Sequence, residues 1–379
     1  QEGEVLTDAA VDLSASQIAN FSPVERVEVR TREVGPSEVD VELDVFEKPR
    51  WIAEVGGGWS TEKGFAANFG LRDDNLLGRG VGLNLRGGWG STERKIFLIG
   101  SLPPVPAGRL TLISTVGYLE GDAPDEPDLL DQEEKLFSLE AQYALTSRVQ
   151  LGVYYRFTDT RTFEKEPDPF FPLDVRVKIG TVGTRAVVDK FDNLFDPRKG
   201  HSLTTDLGWS TEALGSDLDY VSWLSGFSLA LTPFSGATWL QTVRIGVAEP
   251  LKGQNLVRDA RYFAGGQSSI RGFDLNSVGP LTFGVGDELV PAGGGALFIL
   301  NEELCIPIRG PLRGAVFADV GQVWESWRDA EFDFAIGVGL GIRWSTPIGP
   351  LWADVAWPVA DIGISSKKAK FYLGFGRPF

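Results

Sequence analysis

The segment AGGQSSIRGFDLNSVGP, from Ala264 to Pro280, sets one arginine, Arg271, among glycines and small polar residues. A guanidinium group can bind a carboxylate through two parallel N–H donors and can also lie over an aromatic ring. The simpler interpretation is a solvated loop arginine beside turn glycines. If the segment instead enters a confined space, leaving this cation unpaired would cost about 3–5 kcal/mol. Arg271 is therefore a candidate for binding chemistry, with an acid from elsewhere in the chain as its partner.

Residues suited to covalent catalysis are scarce in this chain. It has one histidine, His201, one cysteine, Cys305, and no methionine. One histidine disfavours a histidine-based metal site or a catalytic triad, and one cysteine excludes an intrachain disulfide. The segment GWSTEKG lacks the Gly-Lys-Ser/Thr order of a phosphate loop. The sequence predicts no catalytic residues, no metal site, no cofactor and no enzymatic activity.

Charge and the start of the chain narrow the function classes further. The formal net charge of −16 over 379 residues argues against a nucleic-acid partner, which requires a basic surface. Eight carboxylates lie between Glu120 and Glu134, as expected of a solvated loop. The first residues, QEGEVLTDAAVDLS, lack the basic start and apolar core of a signal peptide, which predicts a mature or trimmed chain.

The elements that must position Arg271 follow from the hydrophobic pattern, which alternates with period two. VQLGVYYRF and FSLEAQYAL each place apolar residues on one face, and FAIGVGLGIRW places glycines and Arg343 on the other. Alternation of this kind predicts β-strands. Tryptophan and phenylalanine cluster near strand ends, as in the aromatic girdles of a membrane barrel, and many connections alternate between short and long. These features favour a transmembrane barrel over a soluble antiparallel sheet.

Sixteen strands are predicted, and the even number places both ends of the barrel sheet on one side. The uncharged run from Tyr220 to Val243 could suggest a transmembrane helix, but TPFSGA in its middle indicates two strands and a turn. The segment 251–294 between two of the strands is predicted to be a structureless outer loop that can fold inward. The predicted strands lie near residues 51–59, 65–72, 81–90, 95–101, 110–119, 136–146, 149–159, 175–188, 201–211, 219–231, 238–248, 295–303, 313–320, 334–344, 351–357 and 370–379.

The first fifty residues have a different character. LSASQIANF is compatible with a short helix, and VERVEVRT and VDVELDVFEK predict a strand pair. This unit is too small to hold a core of its own. The predicted fold is therefore an all-β, 16-stranded antiparallel transmembrane barrel over residues 51–379, preceded by the remnant of an α+β module over residues 1–50.

Several segments resemble the BamA/TamA superfamily of outer-membrane insertases. GGQSSIRGF is similar to the signature of its sixth extracellular loop, which here comprises Gly265, Gly266, Ile270, Arg271, Gly272 and Phe273. RGPLRGAVFADVGQVW resembles its thirteenth-strand motif, and GIRWSTPIGPLWADVAWPV resembles the following hairpin. DNLFDPRKG and DDNLLGRG match two of its turns. The N-terminal piece resembles the end of a POTRA domain, the periplasmic module that precedes these barrels.

The resemblance implies that the loop enters the lumen and that Arg271 meets acids on the inner wall. In GAVFADVG, Phe317 and Asp319 share one face, and a lipid-facing carboxylate would be costly, so both are expected to face inward. In the family, the motif arginine pairs with such an acid and packs on the aromatic residue. Glu303 occupies the place of a second family acid.

The seam between the first and last barrel strands is predicted to be weak. Gly56, Gly57 and Gly58 lie in a row on the first, and the last ends with Phe375, Gly376, Pro378 and Phe379. Glycines that merely relieve crowding inside the barrel are the alternative. In the family this seam opens as a lateral gate through which nascent outer-membrane β-barrel proteins are inserted.

The resemblance also implies a setting and a set of partners. It places the barrel in the bacterial outer membrane with the POTRA side in the periplasm. Periplasmic lipoproteins or an inner-membrane partner would dock on POTRA domains, and outer-membrane lipids including lipopolysaccharide would surround the barrel. A two-partner secretion transporter and a passive outer-membrane pore remain as alternative functions.

Overall fold

The computed structural model is an antiparallel β-barrel that closes on itself, preceded by a separate two-stranded sheet. No helix among the residues described below is long and apolar enough to span a membrane. The structure describes residues 7, 11, 18, 24–35, 38–47, 49–61, 63–102, 109–123, 126, 128–167, 170, 172–193, 196–234, 236–284, 288–331, 333–346, 349–360 and 368–375.

All sixteen predicted barrel strands are present, and each pairs with its neighbours in antiparallel register. The run from Tyr220 to Val243 contains the whole of one strand, a turn and the start of the next, as its turn residues predicted. The barrel strands are β3 (Trp51–Ser60), β4 (Gly64–Leu76), β5 (Val81–Gly90), β6 (Glu93–Ser101), β7 (Leu110–Asp122), β8 (Leu130–Thr146), β9 (Val149–Glu164), β10 (Asp174–Asp189), β11 (Gly200–Ser210), β12 (Tyr220–Leu231), β13 (Thr238–Pro250), β16 (Ala296–Arg309), β17 (Leu312–Trp324), β18 (Ala335–Thr346), β19 (Gly349–Ala360) and β20 (Lys370–Phe375).

The N-terminal strand pair is β1 (Val24–Gly35) with β2 (Glu38–Glu47). The predicted helix over LSASQIANF falls almost wholly outside the described residues. The assignment of residues 1–50 to a POTRA domain stays a prediction.

Two predicted loops contain more structure than expected. The segment between β13 and β16 is not structureless: it holds a short 3₁₀ turn at Arg258–Ala260 and a hairpin of β14 (Leu281–Phe283) with β15 (Leu289–Pro291). The acidic segment from Glu120 to Glu134 is largely the extended ends of β7 and β8, which pair up to Asp122 and Asp131. In both segments cross-strand pairing outweighs the turn-forming and charged composition that suggested irregular loops.

Outward-facing tryptophans mark both ends of the barrel wall. We name the end where Trp51 begins β3 the turn end, and the opposite end, which carries residues 251–295, the loop end. Trp51 and Trp59 lie eight residues apart on the outward face of β3, which is about 26 Å along the strand and about 20 Å along the axis of a barrel with tilted strands, close to the height of a membrane barrel's apolar band. Exposed tryptophans also include Trp239 and Trp344 near the turn end and Trp89, Trp209 and Trp357 near the loop end.

Candidate functional site

The loop between β13 and β16, residues 251–295, packs inside the barrel. Ile270, Phe273 and Val278 on this loop are almost fully buried, against Ile299 of β16 and Val323 of β17. These apolar contacts bring the tip of the loop to the wall formed by β16 to β19. The sequence motif GGQSSIRGF therefore lies against the inner wall.

Glycines allow the tip to turn sharply and approach that wall. Gly265, Gly266 and Gly272 have φ angles of 113°, 93° and 97°, a region that side chains rarely adopt. A Cβ atom on Gly272 would lie 2.7 Å from the carbonyl carbon of Trp357 on β19. The turn is closed internally by Ser269, whose hydroxyl accepts from the Gly265 N–H and donates to the Gly265 carbonyl, both at 2.8 Å.

Arg271 is 1% exposed and binds Asp319 of β17 at three points. Its Nε and Nη2 donate to the two carboxylate oxygens at 2.7 and 3.0 Å, and its backbone N–H donates to Oδ2 at 3.0 Å. Burial by itself would lower the pKa of this guanidinium, but the charge and hydrogen bonds of Asp319 raise that pKa above its ordinary value. Arg271 is therefore held as a cation.

The other two expected partners also contact Arg271. The guanidinium carbon lies 3.4 Å from the centre of the Phe317 ring, and Nη1 donates to Oε2 of Glu303 at 3.0 Å. Phe317 and Asp319 are buried, whereas Val316, immediately before Phe317 on the same strand, faces outward and is exposed. The inward direction expected from the period-two pattern is the direction that the structure shows.

A second arginine and a third acid complete a five-membered ion cluster. Arg343 of β18 donates to Glu303 at 3.0 and 2.8 Å and to Asp354 of β19 at 3.1 Å, and Arg271 reaches Asp354 at 3.3 Å. Two guanidinium groups thus face three carboxylates inside the wall. The cluster joins four consecutive strands and the loop.

Sequence reasoning missed the roles of Arg343 and Asp354, although a signal for each was present. Arg343 follows Gly337, Gly339 and Gly341 on the inward face of its strand, and Asp354 is a lone acid in the apolar run LWADVAW. A charged residue in such a strand is expected to face the lumen. Asn301 was also missed: its amide donates to Asp319 at 2.8 Å and to the Ser269 carbonyl at 2.7 Å.

The loop also holds the last strand. The backbone N–H of Gly272 donates to the Tyr372 hydroxyl at 3.1 Å, and Lys370 forms an ion pair with Asp274. Tyr372 is 2% exposed and faces inward on β20. These contacts link the residues beside Arg271 directly to one side of the predicted seam.

The seam between β3 and β20 is the shortest ladder of the barrel within the described residues. It aligns four residue pairs, from Tyr372 opposite Ser60 to Phe375 opposite Gly57. Every ladder that does not include β20 aligns at least eight. Of the predicted gate residues, Gly57, Gly58 and Phe375 are paired here, and Gly56 approaches the Phe375 carbonyl, where an added Cβ would lie 3.9 Å away. Gly376, Pro378 and Phe379 lie outside the described residues.

His201 and Cys305 both lie on barrel strands. His201 is near the start of β11 with its ring 6.3 Å from that of Phe227. Cys305 is buried on β16, and its thiol lies 3.3 Å from Glu303. Among the described residues no group of three or more His, Cys, Asp or Glu side chains is arranged to hold a metal ion.

A cavity of about 460 Å³ lies on the turn-end side of the ion cluster. Arg244, Arg271 and Glu303 border it on one side, and Asp196 and Arg313, which pair at 2.5 Å, border it on the other. The cluster and the loop thus separate this part of the lumen from the loop end.

Comparison with known proteins shows which family this barrel belongs to. A family model described as the Omp85 superfamily domain matches residues 75–379. The outer membrane protein assembly factor BamA of Neorickettsia risticii (strain Illinois) is 24% identical over 405 residues, covering 100% of this chain and 52% of the relative. The chain spans about half the length of the curated relatives it matches, 52% and 46% for two BamA proteins.

Two of the solved structures that share the fold illustrate the likeness. BamA from Haemophilus ducreyi lacking POTRA domains 1–3 superposes with a TM-score of 0.81 at 20% identity, over 99% of this chain and 80% of that one. CdiB from Acinetobacter baumannii superposes with a TM-score of 0.65 at 12% identity, over 100% of this chain and 69% of that one.

Proposed function

Because this chain belongs to the Omp85 superfamily, we propose that its barrel folds and inserts client β-barrel proteins through a lateral gate between β3 and β20. The barrel and the BamA relatives support an outer-membrane location. The observation that carries the gate is the four-pair ladder between the first and last strands. Counted over the described residues, the fewest backbone hydrogen bonds have to break at this seam.

An opened seam would expose two strand edges with unpaired backbone donors and acceptors. Such an edge can add a strand from another chain, which is how β-augmentation recognises an extended segment. Gly57 and Gly58 let the β3 backbone come close to its neighbours, since an added Cβ would lie 2.8 Å from the Ala66 carbonyl oxygen or 2.6 Å from that of Leu373. A client strand would therefore meet backbone there, with few side chains to displace.

The ion cluster supports this proposal by holding the wall next to the seam. Arg271 and Arg343 link acids on β16, β17 and β19, so these strands stay joined while the β3–β20 ladder separates. The loop keeps the lumen filled during opening. No covalent bond is made or broken in this function, so it needs neither a catalytic residue nor a cofactor, and we propose that the protein is not an enzyme.

The partners of this function extend beyond the barrel. We propose that residues 1–50 are the last part of a POTRA domain on the periplasmic side, through which periplasmic lipoproteins or an inner-membrane protein dock. Nascent outer-membrane barrel proteins are the clients. Outer-membrane lipids, including lipopolysaccharide, surround the wall, and the net charge of −16 disfavours nucleic acid.

A disulfide across the seam tests the gate. Trp59 and Leu373 are opposite each other with both side chains outward, so Trp59→Cys with Leu373→Cys should lock the ladder in a Cys305→Ser background. In the full-length protein reconstituted in vesicles, we expect client insertion to stop under oxidation and to return on reduction.

The matched control locks the neighbouring ladder with the same first residue. Trp59 is also opposite Phe65 on β4, so Trp59→Cys with Phe65→Cys adds a disulfide that leaves the seam free. Insertion should continue in this variant. Full insertion by the seam-locked protein would rule out the lateral gate.

Transport of an extended chain through the lumen is the second candidate function. A secretion transporter with the fold shared by CdiB is one form of this function. A passive pore is the simpler form. The lumen-filling loop disfavours a passive pore, which should give large and steady conductance. A lumen transporter would keep working with the seam locked, whereas a lateral gate would not.

A further inference from the structure

Glu302 of β16 is a carboxylate on the outward face of the barrel. Its strand neighbours Asn301 and Glu303 contact the loop and the ion cluster inside the lumen, so Glu302 points outward. The same outward face carries Leu300 and Leu304 on either side, and exposed Ile306 beyond them. The outward band of a membrane barrel is normally apolar, because charge there is destabilising.

Two neutral donors orient this carboxylate. The indole N–H of Trp239 donates to Oε2 at 2.6 Å, and the side-chain amide of Gln241, directly opposite on β13, donates to Oε1. A carboxylate can accept about four hydrogen bonds, so acceptor capacity remains. On its other side Glu302 is opposite the small Ala318 of β17, which leaves room for a ligand.

Glu302 forms no ion pair with any lysine or arginine in the part of the chain that the structure describes. Outward carboxylates near the loop end differ: Asp159 pairs with Arg176, Asp174 with Arg161, and Glu249 with Arg328. Glu249 is the closest parallel, since it also accepts from an indole N–H, that of Trp327, at 3.0 Å. The difference is that Glu249 has a cation, whereas no described lysine or arginine pairs with Glu302.

The level of the site in the membrane follows from Trp239. It is an exposed tryptophan near the turn end, where barrel girdles contact lipid headgroups. The Glu302 carboxylate hydrogen-bonded to it therefore lies within reach of the headgroups. A headgroup ammonium could supply the missing positive charge together with N–H donors.

We propose that Glu302, Gln241 and Trp239 form a binding site for a phospholipid whose headgroup carries a primary ammonium. The ammonium donates to the free lone pairs of the Glu302 carboxylate, and the acyl chains lie along the outward side of Leu300, on the loop-end side of Glu302 towards the middle of the wall. The site is independent of the seam and of client insertion.

Lipid retention tests the site. The full-length protein and Glu302→Gln are reconstituted in vesicles with equal parts phosphatidylethanolamine and phosphatidylcholine of identical acyl chains, re-extracted, and analysed for bound lipid. We expect the wild type to retain phosphatidylethanolamine over phosphatidylcholine about fivefold more strongly than Glu302→Gln does, the size of a modest charge-assisted contact. The preference should fall stepwise through the N-methylated headgroups, which lose donors and keep the charge.

Glu249→Gln is the matched control, because that carboxylate already has Arg328 as its cation. It should keep the wild-type preference, and free ethanolamine should not reproduce the effect of the lipid. Gln241→Leu, which removes one orienting donor, is a second variant and should weaken the preference. Equal preference in wild type and Glu302→Gln, or a cationic protein bound at Glu302 in place of lipid, would overturn the proposal.

Discussion

Arg271 donates three hydrogen bonds to Asp319, two from its guanidinium and one from its own backbone N–H. The side chain alone would fix the distance between loop and wall. The added backbone bond also fixes the orientation of the loop tip against β17. One carboxylate thus positions both the side chain and the main chain of the motif residue.

Removing the Arg271 side chain should destabilise the barrel strongly. Arg271→Ala leaves Asp319 and part of the charge of Glu303 and Asp354 buried without their cation, which costs about 3–5 kcal/mol. Arg271→Lys should recover only part of this, since an ammonium cannot bind Asp319 with two parallel donors. Urea unfolding followed by the heat-modifiable gel shift measures both. A loss below about 1 kcal/mol would mean that the cluster is solvated.

Neutralising Asp319 in the Arg271→Ala background should restore stability. Asp319→Asn removes the unpaired charge that Arg271→Ala leaves behind, so the double variant should be more stable than Arg271→Ala alone. Asn301 can still donate to the remaining side-chain oxygen. The same urea series over the wild type, Arg271→Ala, Asp319→Asn and the double variant gives the coupling energy. Strict additivity of the two losses would contradict direct pairing.

Removing the contacts between the loop and β20 should destabilise the β3–β20 ladder. Tyr372→Phe removes the acceptor of the Gly272 N–H, at a cost of about 1 kcal/mol, and Lys370→Met removes the ion pair with Asp274. Together they should accelerate amide hydrogen exchange in residues 368–375. Exchange in β12, which lies away from the seam, serves as the internal control. Unchanged exchange in residues 368–375 would show that the loop does not hold this strand.

Gly337 should tolerate no side chain. A Cβ there would lie 1.9 Å from the Arg271 carbonyl oxygen, so Gly337→Ala must push the loop tip off β18. The expected loss is about 1–3 kcal/mol, the usual range for overpacking, with faster proteolysis within residues 251–295. Gly100 on β6 has nothing within 4 Å of an added Cβ, so Gly100→Ala should be near neutral. Equal effects of the two variants would argue against close loop contact.

Alternation along single strands predicted the strands and showed that Phe317 and Asp319 share a face, because side-chain direction in a strand is determined by residues one or two positions apart. The aromatic residues near strand ends and the connection lengths then favoured the barrel, and the cost of a lipid-facing carboxylate predicted the inward direction. The motif glycines likewise indicated a tight loop before its path was known. Local pattern did not predict the hairpin within residues 251–295, because the turn-forming composition of this segment suggested an irregular loop although two short strands pair there.

Only the tertiary structure showed which residues lie beside Arg271. Arg343, Asp354 and Tyr372 lie on three strands far along the chain from the loop, and their meeting depends on barrel closure and on ladder register. That no cation of the described strands pairs with Glu302 also became visible only when its neighbours on β13 and β17 were in place. Sequence determined which face each charged side chain would take. Only closure of the barrel decided which charges share a site, because register across strands is a long-range property.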